Sequence, residues 1–143
     1  MLRSLRATPA AAWRAVRAAR ILVTATRSLG DGTPTDAVLR ALTSQVRAGS
    51  ATPRQAAAAV RRASRVVPGA TCLPRAVAIA ALLGAETEDL SVVLGSKRTP
   101  SGRWTAHAWV EVGDVPWPGP DVSSYQRLAS YAARTQWALT PLS

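Results

Sequence analysis

The chain has 143 residues, 48% of them hydrophobic, and a formal net charge of +10. That length suits one folded domain, residues 1–143, and an excess of positive charge favours anionic partners such as nucleic acid, acidic peptide or anionic lipid headgroups. One cysteine and one histidine exclude an internal disulfide, a structural zinc site and thioredoxin-like chemistry.

The first half, residues 1–70, reads as helical. Thr8-Pro9, Thr33-Pro34 and Thr52-Pro53 each set a capping hydroxyl before a proline suited to the first helical position. Asp36 and Gln55 stand three residues after the second and third threonines, a capping-box pattern. With stops at Gly30, Gly49 and Pro68-Gly69, helices are expected near 9–29, 34–48 and 53–67. In the second, Val38, Leu39, Leu42 and Val46 share a face; in the first, Trp13, Val16, Ala19 or Arg20, and Val23 nearly do. The basic amphipathic first helix suits partner docking, a membrane surface, or the plain outer face of a bundle.

A fourth helix is expected from Cys72 to Gly84, with Pro74 early enough to be tolerated in its first turn. Its charge-free run from Ala76 to Ala85 is far shorter than the roughly 20 residues that span a bilayer. Arg14, Arg17, Arg20 and Arg27 interrupt the N-terminal apolar region as no secretory signal would. The expectation is a buried helix in a cytoplasmic protein, from a bacterial genome rich in GC as the arginine and alanine usage suggests.

Strands follow. "LSVVLGS" is rich in β-branched residues and "RWTAHAWVEV" alternates, with Trp104, Ala106, Ala108, Val110 and Val112 on one face and Thr105, His107, Trp109 and Glu111 on the other. "SKRTPSGR" is a basic hairpin loop between them. Gly113-Asp114 is a turn signal, and Pro116, Pro118 and Pro120, at every second position, read as an edge strand whose prolines face away from the ladder. The C-terminal "YQRLASYAARTQWAL" reads as a short helix or an irregular tail.

Cys72 sits where a helix N-terminus favours the nucleophilic thiolate, and His107 on a nearby strand suits the general base. Taken alone, a free cysteine is more often packed and inert, and a strand histidine more often structural. A third group would orient the imidazole. Of the carboxylates after Ala106, which are Glu111, Asp114 and Asp121, Asp114 lies roughly 23 Å along the strand. If the chain folds back at Gly113-Asp114, residue 107 falls opposite 120 or 121, which nominates Asp121; the alternative is a turn-capping aspartate. Trp109, on the face of His107, could wall a substrate cleft or belong to the core. Arg75 could support the thiolate, meet an acidic residue of a peptide, or sit on a solvated face.

"CLPRAVAIAALLG" and "AHAWVEV", the latter in a strand pair 35 residues later, after a helical first half, resemble the leader peptidases of lasso-peptide biosynthesis, a group of transglutaminase-like cysteine peptidases. The resemblance covers roughly residues 66–125. It implies an α+β papain/transglutaminase-like fold with N-terminal helices on a small antiparallel sheet, and a catalytic core over residues 71–125. Cys72 would be the nucleophile and His107 the base of a Cys-His-Asp peptidase that needs no cofactor or metal and removes the leader from a ribosomally made precursor. The proline-rich stretch after the histidine departs from the family, so Asp121 rests on the hairpin argument. The resemblance also implies the stand-alone form, partnered by a separate winged-helix leader-recognition element and an ATP-using lasso cyclase. The competing classes are another transglutaminase-like acyl transferase and a non-enzymatic basic nucleic-acid-binding module; the strand motif lacks the interleaved aromatic and basic residues of a single-strand platform.

Overall fold

In the computed structural model, which describes residues 8–46, 51–84, 89–117 and 121–133, four helices precede a four-stranded antiparallel sheet. Helix α1 (Pro9–Gly30) starts as its Thr-Pro pair predicts: the Thr8 hydroxyl accepts from the Ala11 N–H at 3.2 Å. It closes with Gly32 in the left-handed region at φ 84° and the Thr33 N–H donating to the Ser28 carbonyl. The Thr33 N–H thus belongs to the end of α1, and the Thr33 hydroxyl does not cap the helix that follows. Helix α2 (Thr35–Thr43) begins one residue later than expected, with Pro34 at its N-cap and no side-chain cap. It also ends at Thr43, five residues short of the expected 48, with residues 44–46 in a turn and a bend; Gly49 itself lies outside the described residues. Helix α3 (Pro53–Ser64) carries the full capping box between Thr52 and Gln55, with bonds of 3.2 and 3.0 Å, and ends three residues short of the expected 67.

The face of α2 is as expected, with Val38, Leu39, Leu42 and Val46 buried. The face of α1 is not. Trp13 and Val16 are 64% and 51% exposed, and the buried positions are Ala18, Ile21, Leu22 and Ala25. The physical reason is which neighbours α1 packs on: it packs chiefly on α3 and the fourth helix, whereas Trp13 and Val16 lie along an open groove toward α2, with Leu42, Gln45 and Val46.

Helix α4 (Cys72–Leu83) ends at Gly84, φ 80°, and every residue from Ala76 to Leu83 is buried. It packs against α1, α2 and α3 on one side and the first two strands on the other. Those strands are β1 (Leu90–Arg98) and β2 (Trp104–Val112), paired antiparallel with Gly95 opposite His107. Leu90, Val92, Ala108 and Val110 face the helices within the core, so His107, Trp109 and Glu111, at the alternate positions of β2, share the other face.

After Gly113, φ 62°, the chain returns as β3 (Val115–Trp117) at the sheet edge, with Pro116 opposite Glu111. The proline strand is an edge strand, as its spacing predicts; Pro118 and Pro120 lie outside the described residues. The C-terminal segment differs from expectation: Gln126–Ala132 is neither helix nor irregular tail but β4, paired with the free side of β1. Its composition, with two alanines and an arginine, carries little strand signal; a hydrogen-bonding edge on β1 decides the conformation instead. Residues 134–143 lie outside the described residues.

Gly95 is fixed by packing. A methyl group there would meet the Trp109 ring at 2.7 and 2.9 Å and the Gln126 carbonyl oxygen at 3.1 Å. Gly95→Ala is expected to lower stability by about 1–3 kcal/mol, read as a lower urea midpoint with an unchanged m-value. A midpoint equal to the native one would mean that the indole does not lie over this glycine.

Candidate active site

Cys72 is the first residue of α4. Thr71 precedes it in extended conformation, but unlike Thr8 and Thr52 it makes no side-chain cap. The Arg75 backbone N–H donates to the Thr71 carbonyl at 3.2 Å, Pro74 has no N–H to offer, and the N–H groups of Cys72 and Leu73 make no hydrogen bond among the described residues. The start of the buried helix thus holds a half-buried thiol beside two unused donors and the positive end of the helix dipole.

His107 reaches the same place from β2. Among the described residues, pairing with β3 covers only Val110 to Val112 and leaves the β2 edge unpaired from Trp104 to Trp109. A cavity of about 190 Å³ lies along this edge, and Cys72, Arg75 and Ile79 of α4 line it together with His107, Trp109 and Trp117. The two residues singled out as nucleophile and base therefore share one apolar-walled cavity. They make no hydrogen bond to each other, and the space between them is open to a ligand.

The imidazole is held by aromatic rings. Trp109 stacks on it at 6.0 Å between centroids and 26° between planes, and Tyr125 lies 5.6 Å away at 40°. The Lys97 ammonium sits 4.5 Å above the Tyr125 ring. Burial, and then the charge of Lys97, hold the His107 pKa below its usual 6.5, so the ring stays neutral and able to accept a proton.

Trp109 is itself tied down. Its indole N–H donates to Glu111 at 3.0 Å, and Glu111 accepts two further bonds from Arg127 of β4 at 2.8 and 2.9 Å. Burial alone would push the Glu111 carboxyl up, yet the Arg127 and Trp109 hydrogen bonds and the guanidinium charge outweigh it and hold the carboxyl below its ordinary value. A chain of contacts thus runs from Arg127 through Glu111 and Trp109 to the imidazole. Sequence reasoning placed Trp109 and Glu111 on the face of His107 but missed Arg127 and Tyr125, because both depend on β4 lying beside β1.

Asp121 lies outside this chain. Its Oδ1 accepts from the Ser123 N–H at 2.9 Å and from the Ser123 hydroxyl, in the manner of a turn-capping aspartate, and those two bonds hold its carboxyl below the usual range. It lines a second depression with Trp109, Glu111, Tyr125 and Arg127, and His107 does not line it. No hydrogen bond joins it to His107 in this structure. Among the described residues, no three His, Cys, Asp or Glu side chains gather as metal ligands would.

Because the folded state holds Glu111 ionised, its contribution to stability is present above the unfolded carboxyl's value near 4.5 and is lost as pH falls below it. Glu111→Gln is expected to cost about 1–3 kcal/mol at pH 7 and to flatten the loss of stability below pH 4.5, in denaturant melts compared across pH. Parallel pH profiles for the two proteins would remove the network's electrostatic role.

A family model described as the transglutaminase-like superfamily matches residues 5–132, and the chain belongs to that superfamily. No curated protein and no solved structure matches the chain.

Proposed function

We propose that this transglutaminase-like chain is a cysteine peptidase that removes the leader from a ribosomally synthesised lasso-peptide precursor, through a thioester on Cys72. One observation carries the reading: a thiol at the start of a buried helix and a neutral imidazole on the neighbouring strand line the same cavity. The superfamily supports acyl chemistry at such a thiol. The lasso assignment rests on the resemblance of "CLPRAVAIAALLG" and "AHAWVEV".

In this mechanism a substrate carbonyl enters the cavity between the two side chains. His107 takes the Cys72 proton as Sγ attacks the carbonyl carbon. Negative charge collects on the carbonyl oxygen, where the Cys72 N–H, unused within the helix, is positioned to donate; the Leu73 N–H beside it is the candidate for a second donor. The C–N bond breaks, the imidazolium returns its proton to the leaving amine, and a thioester remains. Water, deprotonated by His107, hydrolyses the thioester and frees the thiol. Trp109 and Tyr125 hold the ring plane throughout.

Asp121 is the carboxylate we assign to the imidazolium, since it shares a depression with Trp109 and Tyr125, the two rings that contact the imidazole; it must leave Ser123 to serve there. Asp121→Asn is then expected to lower kcat about 10²-fold or more, and an unchanged kcat would leave orientation to the aromatic rings alone. The proposal includes a separate leader-recognition element and a lasso cyclase that closes a ring on the freed amine, all in the cytoplasm. No helix among the described residues is long and apolar enough to cross a membrane.

The acid limb of kcat/KM should lie below pH 6.5, since His107 works as a neutral base and its pKa is lowered. A limb above 6.5 would contradict a neutral resting imidazole. The direct test is mass spectrometry of a precursor peptide incubated with this protein and a leader-recognition partner. One cut at the leader–core junction, absent with Cys72→Ala, is expected; a product joined to an added amine in place of water would make the protein an acyl transferase, and intact precursor would remove the peptidase reading.

A further inference from the structure

The groove between α1 and α3 takes no part in the chemistry above. Arg14 of α1 and Arg61, Arg62 and Arg65 at the end of α3 line a space of about 290 Å³ whose floor includes Ala15 and the buried Ala59, and among the described residues no carboxylate lines it. None of the four guanidinium groups forms an ion pair among the described residues, where Arg40 and Arg127 supply the basic partners of the two that occur. Four like charges share one groove with no countercharge among the described residues. Such an arrangement repels itself until something anionic fills it.

Arg61 also lines the Cys72 cavity, where Arg75 joins it. The groove and the cavity therefore meet at one side chain. We infer that the groove binds an acidic, extended segment of the peptide whose scissile bond enters the Cys72 cavity. This rests on the peptidase reading and deepens it, by assigning a charge preference to the substrate on one side of the cut. The groove's shape favours peptide: an alanine floor leaves room for a narrow main chain beside guanidinium forks suited to carboxylates. Among the described residues, no aromatic side chain lines it on which a nucleic-acid base could stack.

The test uses the full chain and a fluorescein-labelled peptide of alternating Glu and Ser. Binding is followed by anisotropy, and occupancy of the cavity by the rate at which iodoacetamide alkylates Cys72. Arg62 and Arg65 do not line the Cys72 cavity, so the Arg62→Glu/Arg65→Glu double variant leaves the catalytic machinery in place. It is expected to weaken binding about tenfold and to abolish the slowing of alkylation that the peptide causes in the native protein. Arg62→Gln/Arg65→Gln, which removes charge without reversing it, should fall between and guards against a misfolded charge-reversal variant. Equal binding by native and both variants overturns the inference, as does binding that leaves alkylation unaffected. Tighter binding of a labelled oligo-dT, lost in the same variants, would make the groove a nucleic-acid site and also overturn it. Peptide binding and thiol protection without cleavage of any peptide would sink the peptidase reading alone and uphold the groove's ligand class.

Discussion

The burial of α4 on every side is the constraint on which the rest of the structure depends. A helix with no charged residue between Arg75 and Gly84 has to be enclosed, and three helices and two strands enclose it. Enclosure leaves only its first turn near the surface, and that turn holds Cys72 and Arg75. The thiol is therefore fixed by the core and not by a loop, and the N–H groups beside it stay unpaired because no capping side chain takes them. Rigidity of this kind suits a nucleophile that must meet a base across a cavity.

The base is fixed from the opposite side of the sheet. The Arg127–Glu111 pair joins β4 to β2 across β1, and the Trp109 indole, held by Glu111 and lying over Gly95, stacks on His107. A half-exposed guanidinium and a buried carboxylate contribute less to stability than their short distances suggest. Their effect is geometric, since the indole has one hydrogen bond to make and that bond sets its ring plane. Lys97, over Tyr125, adds a positive charge that keeps the imidazole neutral.

Much of this was legible in the sequence, for identifiable reasons. The Thr-Pro pairs at Thr8 and Thr52 marked helix starts because a capping hydroxyl and a fixed proline φ act locally; at Thr33 the backbone is still closing α1, and α2 starts one residue later without a side-chain cap. The apolar run of α4, the alternation in β2 and the proline spacing of β3 each follow from one element's own periodicity. The buried face of α1 did not, since it depends on where α3 and α4 lie against it. The strand β4 was invisible for a similar reason: it exists because β1 has a second edge. The site divides along the same line. Cys72 and His107 could be picked out from residue type and position, whereas Arg127 and Tyr125 reach the histidine only through tertiary pairing.

The central claim is that His107 acts on Cys72. Because Cys72 is the only cysteine, its alkylation by iodoacetamide at neutral pH reports on that one thiol. The measurement to make is the alkylation rate of the native protein against His107→Ala, with fold checked by circular dichroism. The account predicts a rate at least about tenfold lower in the variant, the loss of a proton acceptor for the thiol. Equal rates in two folded proteins would contradict it and leave Cys72 as a packed residue beside an unrelated histidine.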